Sequence, residues 1–344
     1  MSIKIKRALS AIVWLAALCA CLLLADRAFR RDDGQRKYGP FFAEEQAFDA
    51  LFFGTSRVLD GVQPMELWRD YGVTSYNMGN NSECLEMTEW VMKLAFDYHK
   101  PKVALIDVYY VDRNIDDAWA YSFRHLFLDE IPLSMKKIEA VRATLPSSEW
   151  MEFLMPFSLY HGRWEEILSG KTERLVICEP YTMGAELRAE RAQPVEPFVR
   201  TTEMNTENMP GKDALRRIAA LCRENGVEPV FIAIPAPINA QEQMNMNSVQ
   251  LIADEMGVPF LNLFEEEGLL DFESDCYDYL GHLNPDGASK LTAYLGKWLT
   301  ENCELADRRG DAAYAHWDEN LALFEAHREE VWGEMTRLDA GMRL

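Results

Sequence analysis

The sequence predicts an α/β protein with a three-layer α/β/α architecture, in which helices cover both faces of a parallel, doubly wound sheet. Short apolar runs alternate along the chain with helical segments, a pattern typical of parallel sheets. Several of the runs and helical segments stop at glycine or proline, which mark the ends of such elements. With 344 residues, 48% of them hydrophobic, the chain can also bury a large core.

Five apolar runs are the predicted strands, at residues 47–53, 75–78, 103–111, 229–234 and 259–263. Four helical segments follow strands, at residues 83–98, 212–225, 248–256 and 288–300. Ser82 is the expected N-cap of the first helix, and Gly226 and Gly257 end the second and third.

The predicted α/β domain spans residues 47–306 and is interrupted at residues 113–208 by a helical insertion that can roof one edge of the sheet. Residues 27–46 are polar and contain two glycines and a proline, so we expect a linker there. Residues 307–344 form the expected C-terminal helical extension. Its aromatic side chains recur at helical spacing and are expected to pack back on the domain; a partner-binding helix is the alternative.

A long apolar stretch at residues 8–25 follows Lys4, Lys6 and Arg7. About 18 apolar residues are near the lower limit for a membrane-spanning helix. An uncleaved anchor, a cleaved signal peptide, a lipoprotein signal and a buried helix all fit. We expect residues 1–26 to form an anchor, because no small-x-small cleavage site ends the stretch. The expected location is the cell membrane, with a single pass and the C-terminal domain outside the cytoplasm.

The composition excludes several classes of partner. A formal net charge of −21 disfavours nucleic acid as a ligand, since such ligands need a basic surface. The seven cysteines show no Cys-x-x-Cys spacing, so no zinc site is predicted, and no cofactor is expected.

Three residues point to nucleophilic chemistry. Ser56 follows the strand that stops at Gly54, while Asp278 and His282 lie together just before a helix. Because ligands bind outside the carboxyl ends of the strands in such sheets, Ser56 and His282 can meet at one edge. Serine, histidine and aspartate are the groups of an acyl-transfer site. The alternatives are an ordinary turn serine and a histidine bonded to backbone at a helix N-terminus.

The motifs Gly54-Thr-Ser56, Asn77-Met-Gly79 and Asp278 to Asn284 resemble those of the SGNH/GDSL hydrolase superfamily, most closely its membrane-anchored bacterial members that modify cell-surface polysaccharide. The resemblance implies that Ser56 is the nucleophile, His282 the general base and Asp278 the third member of a triad. It also implies an oxyanion hole formed by the N–H groups of Ser56 and Gly79, with Asn80 as the side-chain donor.

Three features depart from the family pattern. Thr55 replaces the family aspartate. Three residues separate Asp278 from His282 where the family has two, so Asp275 is the reserve candidate for the triad. No Gly-x-Asn-Asp follows the third strand, where the chain reads Asp107-Val-Tyr-Tyr-Val-Asp112.

The resemblance implies an esterase or O-acyltransferase that acts on acyl esters of cell-envelope carbohydrate, with a membrane O-acyltransferase as a possible partner. Two alternatives remain: a carboxylesterase or lipase for small esters, and a degenerate domain that binds a glycan or docks on an acyltransferase. His161 and Trp164 in the insertion can line a sugar site, but we expect them to pack in the core of the insertion.

Overall fold

A five-stranded, all-parallel sheet forms the centre of the fold in the computed structural model, which describes residues 3–115, 121–170, 174–194, 199–205 and 209–341. The strands are β1 (Ala50–Phe53), β2 (Ser75–Asn77), β3 (Val103–Asp107), β4 (Glu228–Ala233) and β5 (Phe260–Asn262). Their order in the sheet is β2-β1-β3-β4-β5. The predicted fold class is therefore confirmed. In this doubly wound order β2 is added on one side of β1 and the later strands on the other side. Such sheets bind ligands where the order changes, which here is between β1 and β3.

Fourteen α-helices lie within the described residues. The first seven are α1 (Ile3–Phe29), α2 (Asp32–Ala43), α3 (Ser56–Gly61), α4 (Pro64–Tyr71), α5 (Leu85–Ala95), α6 (Tyr121–Leu128) and α7 (Met135–Thr144). The others are α8 (Trp150–Leu154), α9 (Phe157–Tyr160), α10 (Trp164–Ser169), α11 (Gly211–Glu224), α12 (Ala240–Met256), α13 (Pro285–Asn302) and α14 (Ala315–Gly341).

Alternate residues of each strand enter opposite layers of core, because successive side chains of a strand point to opposite faces. In β1, Phe52 packs with the apolar side chains of α3, α4 and α13, whereas Leu51 and Phe53 pack in the larger core that includes α5 and α11. In β4, Phe231 likewise packs in the larger core, and Ile232 packs in the layer that contains Phe52. Both faces of the sheet are thus covered, and its strands read as continuous apolar runs.

Three helix starts differ from those predicted by two residues or more, and one of them is that of α13, which begins at Pro285 rather than residue 288. Cys84, not Ser82, precedes the first turn of α5, and Ser82 instead takes a left-handed turn conformation with φ of 55°. Helix α12 begins at Ala240 rather than residue 248, because Asn239 and Glu242 form a reciprocal capping box there.

Residues 27–46 do not form the linker that the sequence predicts. Most of this segment is helical: α1 continues to Phe29, and α2 packs into the domain with Lys37, Tyr38 and Phe41 buried. The Lys37 ammonium donates to the carbonyl oxygens of Asn77, at 3.2 Å, and Gly184. Burial lowers the pKa of Lys37, although the nearby Cys178 and the carboxyl groups of Glu186, Glu83 and Asp60 oppose the shift. The polar composition did not indicate a helix, because Tyr38, Phe41 and Phe42 are the only large apolar side chains in α2.

The C-terminal helix packs on the domain, as expected. Trp317 and Phe324 of α14 are fully buried, and the Trp68 indole donates to Asp318 at 3.0 Å. The insertion is helical in its first part, where α6 to α10 lie within residues 121–169, whereas the only helical structure in its described residues from 174 to 205 is a 3₁₀ turn at Pro180–Thr182. His161 and Trp164, however, are exposed rather than packed in its core.

Helix α1 is long and apolar enough to cross a membrane, and is alone in this among the described residues. Its mean hydropathy reaches 2.5 over an 18-residue window, none of which is buried. Its 27 residues extend about 40 Å at 1.5 Å per residue, more than the hydrocarbon thickness of a bilayer.

Candidate active site

The candidate nucleophile lies on a tight turn between β1 and α3. Gly54 has φ of 139°, a conformation that favours glycine, and a Cβ there would lie 2.5 Å from Cβ of Asp107. Thr55 then caps the helix by accepting the Arg57 N–H, and Ser56 is its first residue. The Asp107 carboxylate accepts the Thr55 hydroxyl at 2.5 Å, which holds the turn to the neighbouring strand. Desolvation raises the pKa of Asp107, although hydrogen bonds from Thr55 oppose the rise.

Ser56, His282 and Asp278 form one continuous hydrogen-bonded line. The Ser56 Oγ lies 2.7 Å from Nε2 of His282, and Nδ1 of His282 lies 2.7 Å from Oδ2 of Asp278. In the tautomer that satisfies both contacts, Nδ1–H donates to Asp278 and Nε2 accepts the serine hydroxyl. The structure thus brings together three residues whose ends are 226 positions apart in the chain. This is the geometry in which a histidine can remove a serine proton.

A compact loop fixes Asp278 relative to His282 despite their unusual spacing. Asp278 Oδ1 accepts the backbone N–H groups of Leu280 and His282, each at 3.0 Å, so the carboxylate is held from both sides. Partial burial opposes ionisation, but the hydrogen bonds and charge of His282 hold the pKa of Asp278 below its ordinary value. Asp278 is therefore ionised at neutral pH.

Asp275, the reserve candidate, has a different position. Both of its carboxylate oxygens lie 2.8 Å from the Lys290 ammonium, and they also accept from Asp271 N–H and the Ser274 hydroxyl. This buried carboxylate joins the loop to α13. Asp278, rather than Asp275, therefore occupies the position of the acid in a triad.

The predicted oxyanion hole is only partly available. The Ser56 N–H is the first of α3 and has no acceptor within its helix. The Gly79 N–H, in contrast, donates to Oδ1 of Asn77 at 3.0 Å, and a Cβ on Gly79 would lie 2.6 Å from the Leu59 nitrogen. This glycine permits close packing behind α3, and its N–H is already used. The structure therefore does not leave it free to donate to an oxyanion.

Asn80 lies beside the nucleophile turn. Its backbone N–H donates to the Gly54 carbonyl at 2.8 Å. Its side-chain amide donates to the Phe123 carbonyl at 2.8 Å, which links it to the insertion. A primary amide carries two N–H groups, so the second one can still serve a ligand.

Two supporting residues escaped the sequence analysis. The Asn77 side chain donates to the carbonyls of Val58 and Val62 at 2.6 and 2.8 Å, and so anchors α3 from below. The buried Arg57 donates to the carbonyl of Leu280 at 3.2 Å and approaches that of Gly281 at 3.4 Å, which ties the nucleophile turn to the histidine loop. The sequence signal that could have indicated these roles was position, because Asn77 begins one recognised motif and Arg57 directly follows another.

An aromatic ring supports the histidine. Tyr277 stacks on His282 with ring centroids 5.7 Å apart and planes inclined by 18°. Its hydroxyl donates to the buried Asp60 carboxylate at 2.9 Å. Desolvation and the nearby Glu186 raise the pKa of Asp60 well above its ordinary value. The ring and its hydrogen bond restrict the orientation of the imidazole.

A pocket opens beside Asn80. The residues that line it include Tyr110, which follows β3, together with Glu83, Met87 and Phe123. The space between its lining atoms is about 450 Å³ when open solvent is included, but only about 20 Å³ of it can hold the centre of a water molecule. Because β1 lies between β2 and β3, a pocket between the loops that follow those strands adjoins the nucleophile turn.

Fold and site together define a doubly wound α/β protein with a Ser–His–Asp arrangement at the carboxyl edge of its sheet. No family model and no curated protein matches this chain.

Proposed function

We propose that this protein is a membrane-anchored serine esterase or O-acyltransferase of the SGNH type, acting on acyl esters of cell-envelope carbohydrate. The observation that carries the proposal is the line from Ser56 through His282 to Asp278, with both contacts at 2.7 Å. A serine bonded to a histidine that is in turn oriented by a carboxylate is the arrangement of an activated nucleophile.

The reaction follows from these positions. Ser56 Oγ attacks the acyl carbon while its proton passes to Nε2 of His282, and the Asp278 carboxylate stabilises the imidazolium. The ester C–O bond then breaks, His282 gives the proton to the departing alkoxide, and an acyl-serine remains. Water or a sugar hydroxyl then attacks the acyl-serine and gives its proton to His282. The bond between the acyl carbon and Ser56 Oγ breaks, the acid or the new ester leaves, and His282 returns the proton to Ser56 Oγ.

The oxyanion formed in each step needs donors aimed at it. The Ser56 N–H at the start of α3 and the second amide N–H of Asn80 are the candidates. One such donor contributes about 3–4 kcal/mol to the transition state. With Gly79 already bonded to Asn77, this site has fewer backbone donors than the resemblance implies.

The substrate class rests on location and charge. An anchor formed by α1 would keep the domain at the membrane surface, where cell-envelope glycans occur. A net charge of −21 favours a neutral glycan over an anionic polymer. In this proposal the C-terminal domain lies outside the cytoplasm and a membrane O-acyltransferase can supply acyl groups.

A fluorophosphonate probe tests the nucleophile directly, because it forms a stable adduct only with an activated serine. We expect the full-length chain in detergent to be labelled, and Ser56→Ala and His282→Ala to lose the adduct while remaining folded by circular dichroism. Ser158→Ala, which changes an exposed serine of the insertion, is the matched control and should label normally. Persistent labelling of Ser56→Ala would contradict the assigned nucleophile.

One observation favours a second function. The Gly79 N–H is committed to Asn77, and one amide hydrogen of Asn80 is committed to Phe123. A site with so few free donors fits a catalytically degenerate SGNH-like protein that binds a glycan or docks on an acyltransferase. A folded full-length chain that gives no adduct, yet binds acylated oligosaccharide in calorimetry, would favour this alternative over the enzyme.

A further inference from the structure

Large apolar side chains are exposed together on the part of the insertion formed by α8, α9 and α10. They are Met151, Met155, Leu159, Trp164, Ile167 and Leu168, which we call the insertion patch. Leu168 is 79% exposed and Trp164 is 52% exposed. Soluble surfaces rarely carry so many large apolar side chains close together, and such patches mark interaction sites.

The insertion patch lies beside the end of the apolar helix α1. The rings of Phe29, in its last turn, and Phe157 meet edge to face with centroids 5.7 Å apart. Arg163 donates to the Phe29 carbonyl at 2.9 Å, which satisfies one of the free carbonyls at the helix terminus. Glu166 holds the same guanidinium through two hydrogen bonds of 2.6 and 3.0 Å. The helices that carry the patch are therefore attached to the last turn of α1.

This attachment to α1 determines which surface the insertion patch faces. If α1 spans a bilayer, its last turn lies near the membrane surface, because the apolar stretch ends at about that point. Elements that contact Phe29 must then lie within about one helix diameter, roughly 10 Å, of the surface. Trp164 has an amphipathic ring of the type enriched at that depth. The charged residues of α8 to α10 and of the turn that precedes α10 are Arg163 and Glu166, which pair with each other, together with Glu152 and the exposed Glu165.

We propose that the insertion patch is a membrane-docking surface: α8 to α10 lie in the interfacial region of the bilayer beside α1, with Trp164 and Leu168 immersed among the acyl chains. This inference rests on the membrane anchor in the proposed function. A single spanning helix restrains the distance of a domain from the membrane but not its orientation. A second contact fixes both, and with them the direction in which the Ser56 edge of the sheet faces.

Depth-dependent fluorescence quenching tests the proposal on the full-length chain in nanodiscs. An environment-sensitive fluorophore is attached to Leu168→Cys in a background without Cys19, Cys21 and Cys303, since the other four cysteines are buried. We expect blue-shifted emission that is lost when the lipids carry bromine near the top of their acyl chains. Leu251→Cys on α12, at a 55% exposed apolar position, is the matched control and should be neither shifted nor quenched.

A probe at Leu15→Cys, near the middle of α1, separates the two proposals when it is read with lipids that carry bromine near the ends of their acyl chains. Quenching at positions 15 and 168 but not 251 supports both the anchor and the docking surface. Quenching at position 15 alone overturns the docking surface and leaves the anchor intact. Quenching at none of the three overturns both, and equal quenching at 168 and 251 overturns the docking surface as a specific contact.

Discussion

At the scale of single residues, the site depends on how each group is held rather than on which groups are present. Asp278 accepts three hydrogen bonds, two from backbone and one from the His282 ring, so its four-residue separation from the histidine still gives triad geometry. The spacing is tolerated because the loop, not a standard turn, positions the carboxylate. Asp275 illustrates the converse: it belongs to the same loop, but its carboxylate is bonded to Lys290.

Asp278→Asn should reduce activity strongly while keeping the fold. The amide would favour the wrong histidine tautomer and could not stabilise an imidazolium, so we expect a fall in the fluorophosphonate labelling rate of about 10³–10⁴-fold. Asp275→Asn is the control, since it removes an ion pair with Lys290 and leaves the histidine untouched. Similar labelling rates for wild type and Asp278→Asn would contradict the triad assignment.

At the scale of elements, the site is assembled from two chain segments whose relative position must be fixed. The turn from β1 to α3 carries Ser56, and the loop before α13 carries His282. Arg57 connects them through the carbonyls of Leu280 and Gly281, and its guanidinium lies 4.2 Å from the centre of the Tyr109 ring. A local motif thus supplies both the candidate nucleophile and the residue that aligns its base.

Arg57→Lys should lower activity without unfolding the protein. Lysine keeps the charge but not the planar fork that serves two carbonyls, so the histidine loop would shift relative to Ser56. A displacement of about 1 Å can cost up to about 100-fold, so we expect the labelling rate to fall by 10- to 100-fold.

Two observations separate this positioning role from general destabilisation. The melting temperature of Arg57→Lys should fall little, and its remaining activity should keep the pH profile of the wild type. Arg69→Lys, which changes an exposed pair with Asp70, is the matched control and should label normally. A labelling rate unchanged by Arg57→Lys would show that the histidine loop does not need this arginine.

At the scale of the whole molecule, the charged groups buried behind the site couple stability to pH. Burial raises the pKa of Glu83 from 4.5 to about 8, although Thr88 and Lys37 oppose the rise. The folded protein therefore holds a proton on Glu83 in a range where the unfolded chain releases it. Stability contributed by the protonated form is present below pH 4.5 and is lost as the pH rises towards 8.

Glu83→Gln should remove this dependence. The amide mimics the protonated carboxyl, so the free energy of unfolding of the variant should exceed that of the wild type increasingly between pH 4.5 and 8. Denaturant titrations of both proteins at several pH values measure the difference. A constant difference over that range would show that Glu83 ionises in the folded state with its ordinary pKa.

The architecture and the two motifs that carry Ser56 and His282 could be predicted, because both depend on the local sequence pattern. Residues 50–53 and 103–106 are apolar throughout, and burial on both sides of a parallel sheet requires that pattern. Helix α2 could not be predicted, because its polar residues satisfy partners such as Asn77 that lie elsewhere in the chain. The Gly79 donor was expected from its position, but Asn77 competes for the same N–H.

The sequence by itself determined the alternating α/β pattern, the apolar helix near the start and the presence of serine, histidine and aspartate at predicted loop positions. Only the tertiary structure decided that Asp278 rather than Asp275 reaches His282, that Gly79 is occupied, and that the insertion exposes apolar side chains beside α1. The physical reason is the separation along the chain of the groups that interact. Hydrophobic periodicity acts between neighbours in the chain, whereas hydrogen-bond competition and exposure are settled by groups that meet only after folding.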